Sequence, residues 1–275
     1  MNRRLTTVLL AASLPLAFAQ AAPTCPAAHA GISDLGYSSY RDGAHFRGTA
    51  VDVLEELYKR TGCGFDIEWY PRGRLFAQFA NGQVDVTASS LRTPERDRSG
   101  TWLPYSSTQF ELVLLNRAAG KFHSLADFVD RSTARLNVTR GISYTPEVQV
   151  QLDRLQRQGR LEYVNDYVVV FRKIQARRAE GTLAPPTIHV MHQRQFNMTG
   201  KMTAMPVEES PRSLIGLYIS NKVPTEVVRR YAEGLRSMVA DGTVQKFYEH
   251  YLGEAIGHRI FSNGSRDILD AMPDL

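Results

Sequence analysis

The stretch Asn81-Gly82-Gln83-Val84-Asp85-Val86, followed by Thr93-Pro94-Glu95-Arg96, marks the end of one helix, the start of a strand and the opening of a new helical turn. Gly82 stops an apolar helical run of Leu75, Phe76 and Phe79, and Val84 and Val86 begin a strand. Upstream, Phe65, Ile67 and Trp69 alternate with Asp66 and Glu68 as a strand does. Before them, Val51, Leu54, Leu57 and Tyr58 recur at helical spacing, with Thr49 and Asp52 placed as a capping box and Gly62 as the stop. With a first strand at residues 31–36, the order strand, helix, strand, helix, strand predicts a parallel sheet with crossover helices.

A second α/β set follows Pro104. Strands are expected at residues 111–115, 136–139, 161–164 and 187–191, with helices opened by Ser124, by Thr145-Pro146-Glu147 and near Tyr167. After Pro211, a strand at 214–220 precedes a helix begun by Pro224 and a further helix carrying Val244, Phe247, Tyr248 and Tyr251. Residues 254–275 form a mixed polar tail whose place this patterning does not supply.

The chain has 275 residues, 43% hydrophobic and 22% charged, which suits one or two globular α/β bodies. Arg3 and Arg4, an apolar run over residues 5–18 and small residues at Ala17, Ala19, Ala21 and Ala22 have the order of a signal peptide. Residues 1–22 are therefore expected to be a leader cleaved near 19–22, and the mature protein periplasmic. Losing the two leader arginines takes the net charge from +5 to 5 − 2 = +3. Basic residues are scattered and no nucleic-acid motif accompanies them, so the chain does not resemble a nucleic-acid-binding protein, and an anionic small ligand fits this mild excess at least as well. Cys25 and Cys63 are the only cysteines, both precede adjacent expected strands, and in an oxidising compartment they are expected to form a disulfide.

Residues 46–105 resemble the periplasmic solute-binding proteins, family 3, that serve polar amino-acid uptake and have the type II periplasmic-binding-protein fold. The resemblance is carried by the helix with Asp52, by the two segments quoted at the outset and by Pro104-Tyr105. Gly216-Leu217-Tyr218-Ile219, Asp241-Gly242-Thr243, Phe247-Tyr248 and Tyr251-Leu252-Gly253 continue it at the other end. It implies an α/β protein of two lobes, each a mostly parallel sheet flanked by helices: residues 24–108 plus 212–253, and residues 109–207, with 254–275 as a tail. It further implies a two-crossing hinge that closes on a ligand, a monomer without cofactor, and an inner-membrane ABC transporter permease as partner.

The same resemblance gives Arg96 the ligand carboxylate, which a planar guanidinium can hold through two parallel hydrogen bonds. The amides opening its helix also favour an anion. Ser89 and Ser90 follow the third strand, where they either donate to the ligand or serve as turn residues. Tyr37 lies where related proteins lay an aromatic face over the ligand; core packing is the other reading. Arg72 and Arg74 open the second helix and either add positive charge to the cleft or form a solvated face. Across the cleft, Arg140-Gly141-Ile142-Ser143 resembles the loop that offers an amide and the Ser143 hydroxyl. Family members often place an acid for the ligand ammonium near the last strand of the second lobe. Here that region reads His189-Val190-Met191-His192-Gln193, which leaves His192 to hydrogen-bond a neutral or acidic group. On a strand the two histidines would face opposite ways, so no metal site is expected. Two other roles share this layout: a dehydratase-like periplasmic enzyme and a ligand-sensing partner of a membrane receptor.

Overall fold

The computed structural model describes residues 25–142, 144–263 and 265–275; the expected leader and Ser143 lie outside them. The chain begins with β1 (Ala28–Ile32), a 3-10 turn (Gly36–Ser38), a hairpin of β2 (Tyr40–Asp42) and β3 (His45–Arg47), α1 (Thr49–Thr61) and β4 (Phe65–Trp69). It continues through α2 (Arg72–Ala80), β5 (Val86–Leu91), α3 (Pro94–Asp97) and β6 (Gly100–Thr108). A second body holds β7 (Glu111–Leu115), α4 (Leu125–Arg131), β8 (Leu136–Thr139), α5 (Pro146–Arg157), β9 (Leu161–Val164), α6 (Tyr167–Gln175), β10 (Gly181–Ala184), α7 (Pro186–Gln195) and β11 (Met202–Pro206). The chain then returns as β12 (Ser213–Ser220), α8 (Thr225–Ala240), α9 (Thr243–Leu252), α10 (Glu254–Ile260) and α11 (Arg266–Asp270).

The result is α/β with two lobes. The first sheet has the order β4-β1-β5-β12-β6 and the second β11-β7-β10-β8-β9. In each, three parallel strands carry crossover helices, and two further strands run antiparallel to their neighbours. Each sheet has its own core: Leu54, Leu57, Leu103, Tyr231 and Leu235 are buried in the first lobe, and Phe128, Leu136, Leu152 and Leu183 in the second. The chain passes between lobes twice, and the crossings are tied together where Gln109 Nε2 donates to the Ser210 carbonyl at 2.7 Å and the Phe110 amide to Ser210 Oγ at 3.1 Å. Cys25 and Cys63 are disulfide-bonded beside the parallel pair β1 and β4, which starts at Ala28 opposite Phe65.

Several expectations need correction. The first strand is Ala28–Ile32, not 31–36, because its register follows β4 from just beyond the disulfide. Thr49 does not cap α1: the cap is Gly48, whose φ of 124° only glycine adopts readily, and whose missing Cβ would sit 2.5 Å from the Ser38 carbonyl oxygen. Ser89 and Ser90 lie within β5 rather than after it. Residues 187–191 are helix, not strand. Pro185 ends the extended chain after β10, and Pro186 sits in the first turn of α7, where a missing N–H does no harm. His189 and His192 are therefore three apart on a helix, both buried, rather than on opposite faces of a strand. The tail, whose place the patterning did not supply, packs on the first lobe: Ile260, Phe261, Ile268 and Met272 are buried against it, and Arg212 bonds Ser107, the Ile260 carbonyl and Asp267.

Candidate functional site

The parallel strands of the first sheet lead into the 3-10 turn, α2 and the segment before α3, and the arginines of interest gather there. Thr93 caps α3, its Oγ1 accepting the Arg96 amide at 3.3 Å. Tyr218 pins the turn: its hydroxyl accepts the Thr93 amide at 2.9 Å and donates to Asp97 Oδ1 at 2.8 Å, and burial pushes it up to about 12. Thr93 occupies the amides of Arg96 and Asp97, through its Oγ1 and its carbonyl respectively. Arg96 Nη1 donates to the Leu91 carbonyl at 2.9 Å, and its guanidinium lies 3.6 Å from the centre of the Phe76 ring. Half-buried, it is held below the usual arginine range by desolvation.

Arg72, first in α2, reaches the same ring at 4.7 Å, and its Nη2 donates to the Ser89 carbonyl at 3.1 Å. The residue is half-exposed as a whole, yet its Nη1 is buried without a partner. Burial, then the charge of Arg96, brings it down to about 10. Ser89 itself has φ of 56°, a left-handed conformation that costs about 1–3 kcal/mol for a residue with a side chain, and its Oγ accepts from Ser38 Oγ at 2.7 Å. The backbone turn thereby directs the Ser89 carbonyl at Arg72. Tyr105 is fully buried, its hydroxyl turned toward the Ser89 side chain and backbone.

Arg96, Arg72 and Ser89 are thus brought together, with Tyr105 and with Phe76, which patterning places in the apolar run of a helix. The Phe76 role had a readable signal, since it stands four residues after Arg72 on one helix face. Four expected site residues are placed elsewhere. The Ser90 hydroxyl is turned into the sheet, 2.9 Å from Thr87 Oγ1. Arg74 is exposed and faces Glu68 and Tyr70. The Tyr37 ring is covered by packing: Tyr251 lies 5.4 Å away, Tyr40 5.7 Å, and the Arg194 guanidinium 5.2 Å. His192 is stacked on Phe171 at 5.2 Å and bonded to Gln195, and burial holds it below its ordinary value, hence neutral near pH 7.

Two interlobe contacts were not foreseen. Arg194 of α7 donates to the Tyr37 hydroxyl at 3.2 Å and to the Tyr251 carbonyl at 2.7 Å. Glu111, 2% exposed at the start of β7, accepts from His189 Nε2 at 2.9 Å and Arg259 Nη1 at 2.6 Å, while Gln193 Nε2 lies 3.0 Å from His189 Nδ1. Both ring nitrogens of His189 thus have partners, and the Arg259 guanidinium brings a positive charge to Glu111.

Comparisons agree with this architecture. No curated protein matches the chain in sequence. Among solved structures, the GluR0 ligand-binding core in complex with L-glutamate is similar, with a TM-score of 0.65 at 17% identity over 82% of this chain and 98% of that one. An arginine-, lysine- and histidine-binding protein from the thermophilic bacterium Geobacillus stearothermophilus gives 0.62 at 15% identity, over 82% of this chain and 95% of that one. An ancestral amino-acid-binding protein described as a precursor of cyclohexadienyl dehydratase gives 0.63 at 18% identity, over 82% and 95%. The family model of the bacterial extracellular solute-binding proteins, family 3, matches residues 33–254. With two sheet-bearing lobes and a family match over most of its length, the chain belongs to the bacterial extracellular solute-binding proteins, family 3.

Proposed function

We propose that this protein captures a small polar ligand bearing a carboxylate between its lobes in the periplasm and delivers it to an ABC transporter permease. The observation that carries the reading is the Arg96 guanidinium: held by a capped turn and an aromatic ring, it is bonded among the described residues only to a backbone carbonyl and has a fork left to offer. Closure is a rotation of one lobe against the other about the crossings at Gln109-Phe110 and Ser210, with contacts from both lobes in the closed state. The reading is capture rather than turnover, because His192, left to hydrogen-bond the ligand where relatives often place an acid, is stacked among aromatic rings.

Thermal-shift screening of the mature protein against amino acids and organic acids is expected to raise the melting temperature with at least one carboxylate. A ligand at about 100 times its Kd adds about 2.7 kcal/mol, or roughly 5–11 °C for a protein of this size. Folded protein that no small carboxylate stabilises would contradict capture, and conversion of the bound ligand would assign an enzyme instead.

A further inference from the structure

Anchoring one carboxylate uses Arg96 and leaves Arg72 unexplained. Arg72 places a guanidinium against the same ring, spends Nη2 on the Ser89 carbonyl, and keeps Nη1 buried and unpartnered. The buried Tyr105 hydroxyl, turned toward Ser89, stands at the same corner and feels the Arg72 charge. Carboxylates do not neutralise the pair. Among the described residues none bears on Arg72, and only Glu95 bears on Arg96; the nearby Asp97 is paired with Arg92 at 3.0 Å. Asp34, the exposed acid that follows β1, bonds the Gly36 amide and bears on His192 instead. Two uncompensated cations, one with a buried free donor, form an arrangement costly to maintain when empty and suited to two negative charges.

We infer that the cleft takes a ligand with two anionic groups, a dicarboxylate or a phosphate monoester, with Arg96 holding one and Arg72, assisted by Tyr105, the other. This rests on the anion-capture reading above and narrows it. A ligand ammonium placed here would face two guanidiniums, so the same charges that attract a dianion discriminate against a zwitterion. Phosphate oxygens and carboxylates both match the planar fork, which is why the two chemistries are grouped.

The test is isothermal titration of the mature protein with succinate, glutarate, inorganic phosphate and glycerol 3-phosphate, against propionate and L-glutamine. Wild type, Arg72→Gln and Arg96→Gln are compared. At least one dianion is expected to bind wild type tighter than propionate by about tenfold or more, and the dicarboxylate and phosphate arms identify which class it is. Arg72→Gln is expected to erase that preference, weakening dianions by about tenfold more than propionate, while Arg96→Gln weakens both. Melting curves control for folding: Arg72→Gln removes an unpaired cation, so its melting temperature is expected to equal or exceed that of wild type. If dianions gain nothing over monoanions, or if Arg72→Gln keeps the preference, the inference is overturned. Binding of propionate or L-glutamine that depends on Arg96, without preference for dianions, overturns the inference and leaves the capture reading standing. If neither class binds folded protein, both fall.

Discussion

Replacing Arg96 by Met is expected to weaken carboxylate binding by about 30- to 4000-fold, the equivalent of about 2–5 kcal/mol, the usual cost of truncating one partner of a buried, hydrogen-bonded charge pair. The upper part of the range applies if closure excludes water from the pair, because the Coulomb attraction and the two parallel hydrogen bonds then act in a lower dielectric. The fold is expected to tolerate the change within about 1 kcal/mol. In the unliganded protein the side chain makes one bond to the Leu91 carbonyl and one cation–π contact, and the latter contributes about 0.5–1 kcal/mol at a partly exposed site. Arg96→Lys keeps the charge and loses the fork, so its affinity is expected between those of wild type and Met. Titration of the three proteins with one ligand, beside their melting curves, checks this; unchanged affinity in Arg96→Met would remove Arg96 from the site.

Glu111→Ala is expected to lower stability by about 3 kcal/mol, with a fall in melting temperature of roughly 6–12 °C. Removing the carboxylate leaves His189 Nε2 without its acceptor inside the protein and strips Arg259 of its counter-charge. The estimate stays at the low end for a broken buried pair because Arg259 is 41% exposed and can turn to water. Glu111→Gln retains an acceptor for His189 and is expected to recover part of the loss. Urea denaturation of the two variants reads the difference. Equal stability of Glu111→Ala and wild type would mean that the contact joining β7, α7 and the tail contributes nothing.

Much of the fold was legible because local chemistry and tertiary demand coincide. Ser124 and Thr145 cap the helices their positions announce, and the alternation from Phe65 to Trp69 is a strand. Misreadings came where a local pattern had two solutions. Thr187-Ile188-His189-Val190 alternates polar and apolar residues as a strand does, yet Pro185-Pro186 opens a helix there. β6 was hidden because Pro104 sits inside it; an edge strand with a register shift opposite Gly216 accommodates a residue that donates no hydrogen bond.

The candidate site was half legible for a related reason. Arg96 is reached through the resemblance carried by Thr93-Pro94-Glu95-Arg96, and Arg72 through its place at the start of the second helix. The fates of Tyr37 and His192 depend on Arg194, Tyr251 and Phe171, partners that only the folded chain supplies. The tail escaped prediction likewise, because its apolar residues meet the first lobe singly across short helices rather than along one periodic face.

A crystal structure of the mature protein with its tightest-binding carboxylate probes the central claim most directly. The account predicts one carboxylate on the Arg96 fork, with nitrogen–oxygen distances of about 2.7–2.9 Å, and side chains of the second lobe on the ligand's far side. A ligand bound elsewhere, with Arg96 still donating to the Leu91 carbonyl, would contradict it.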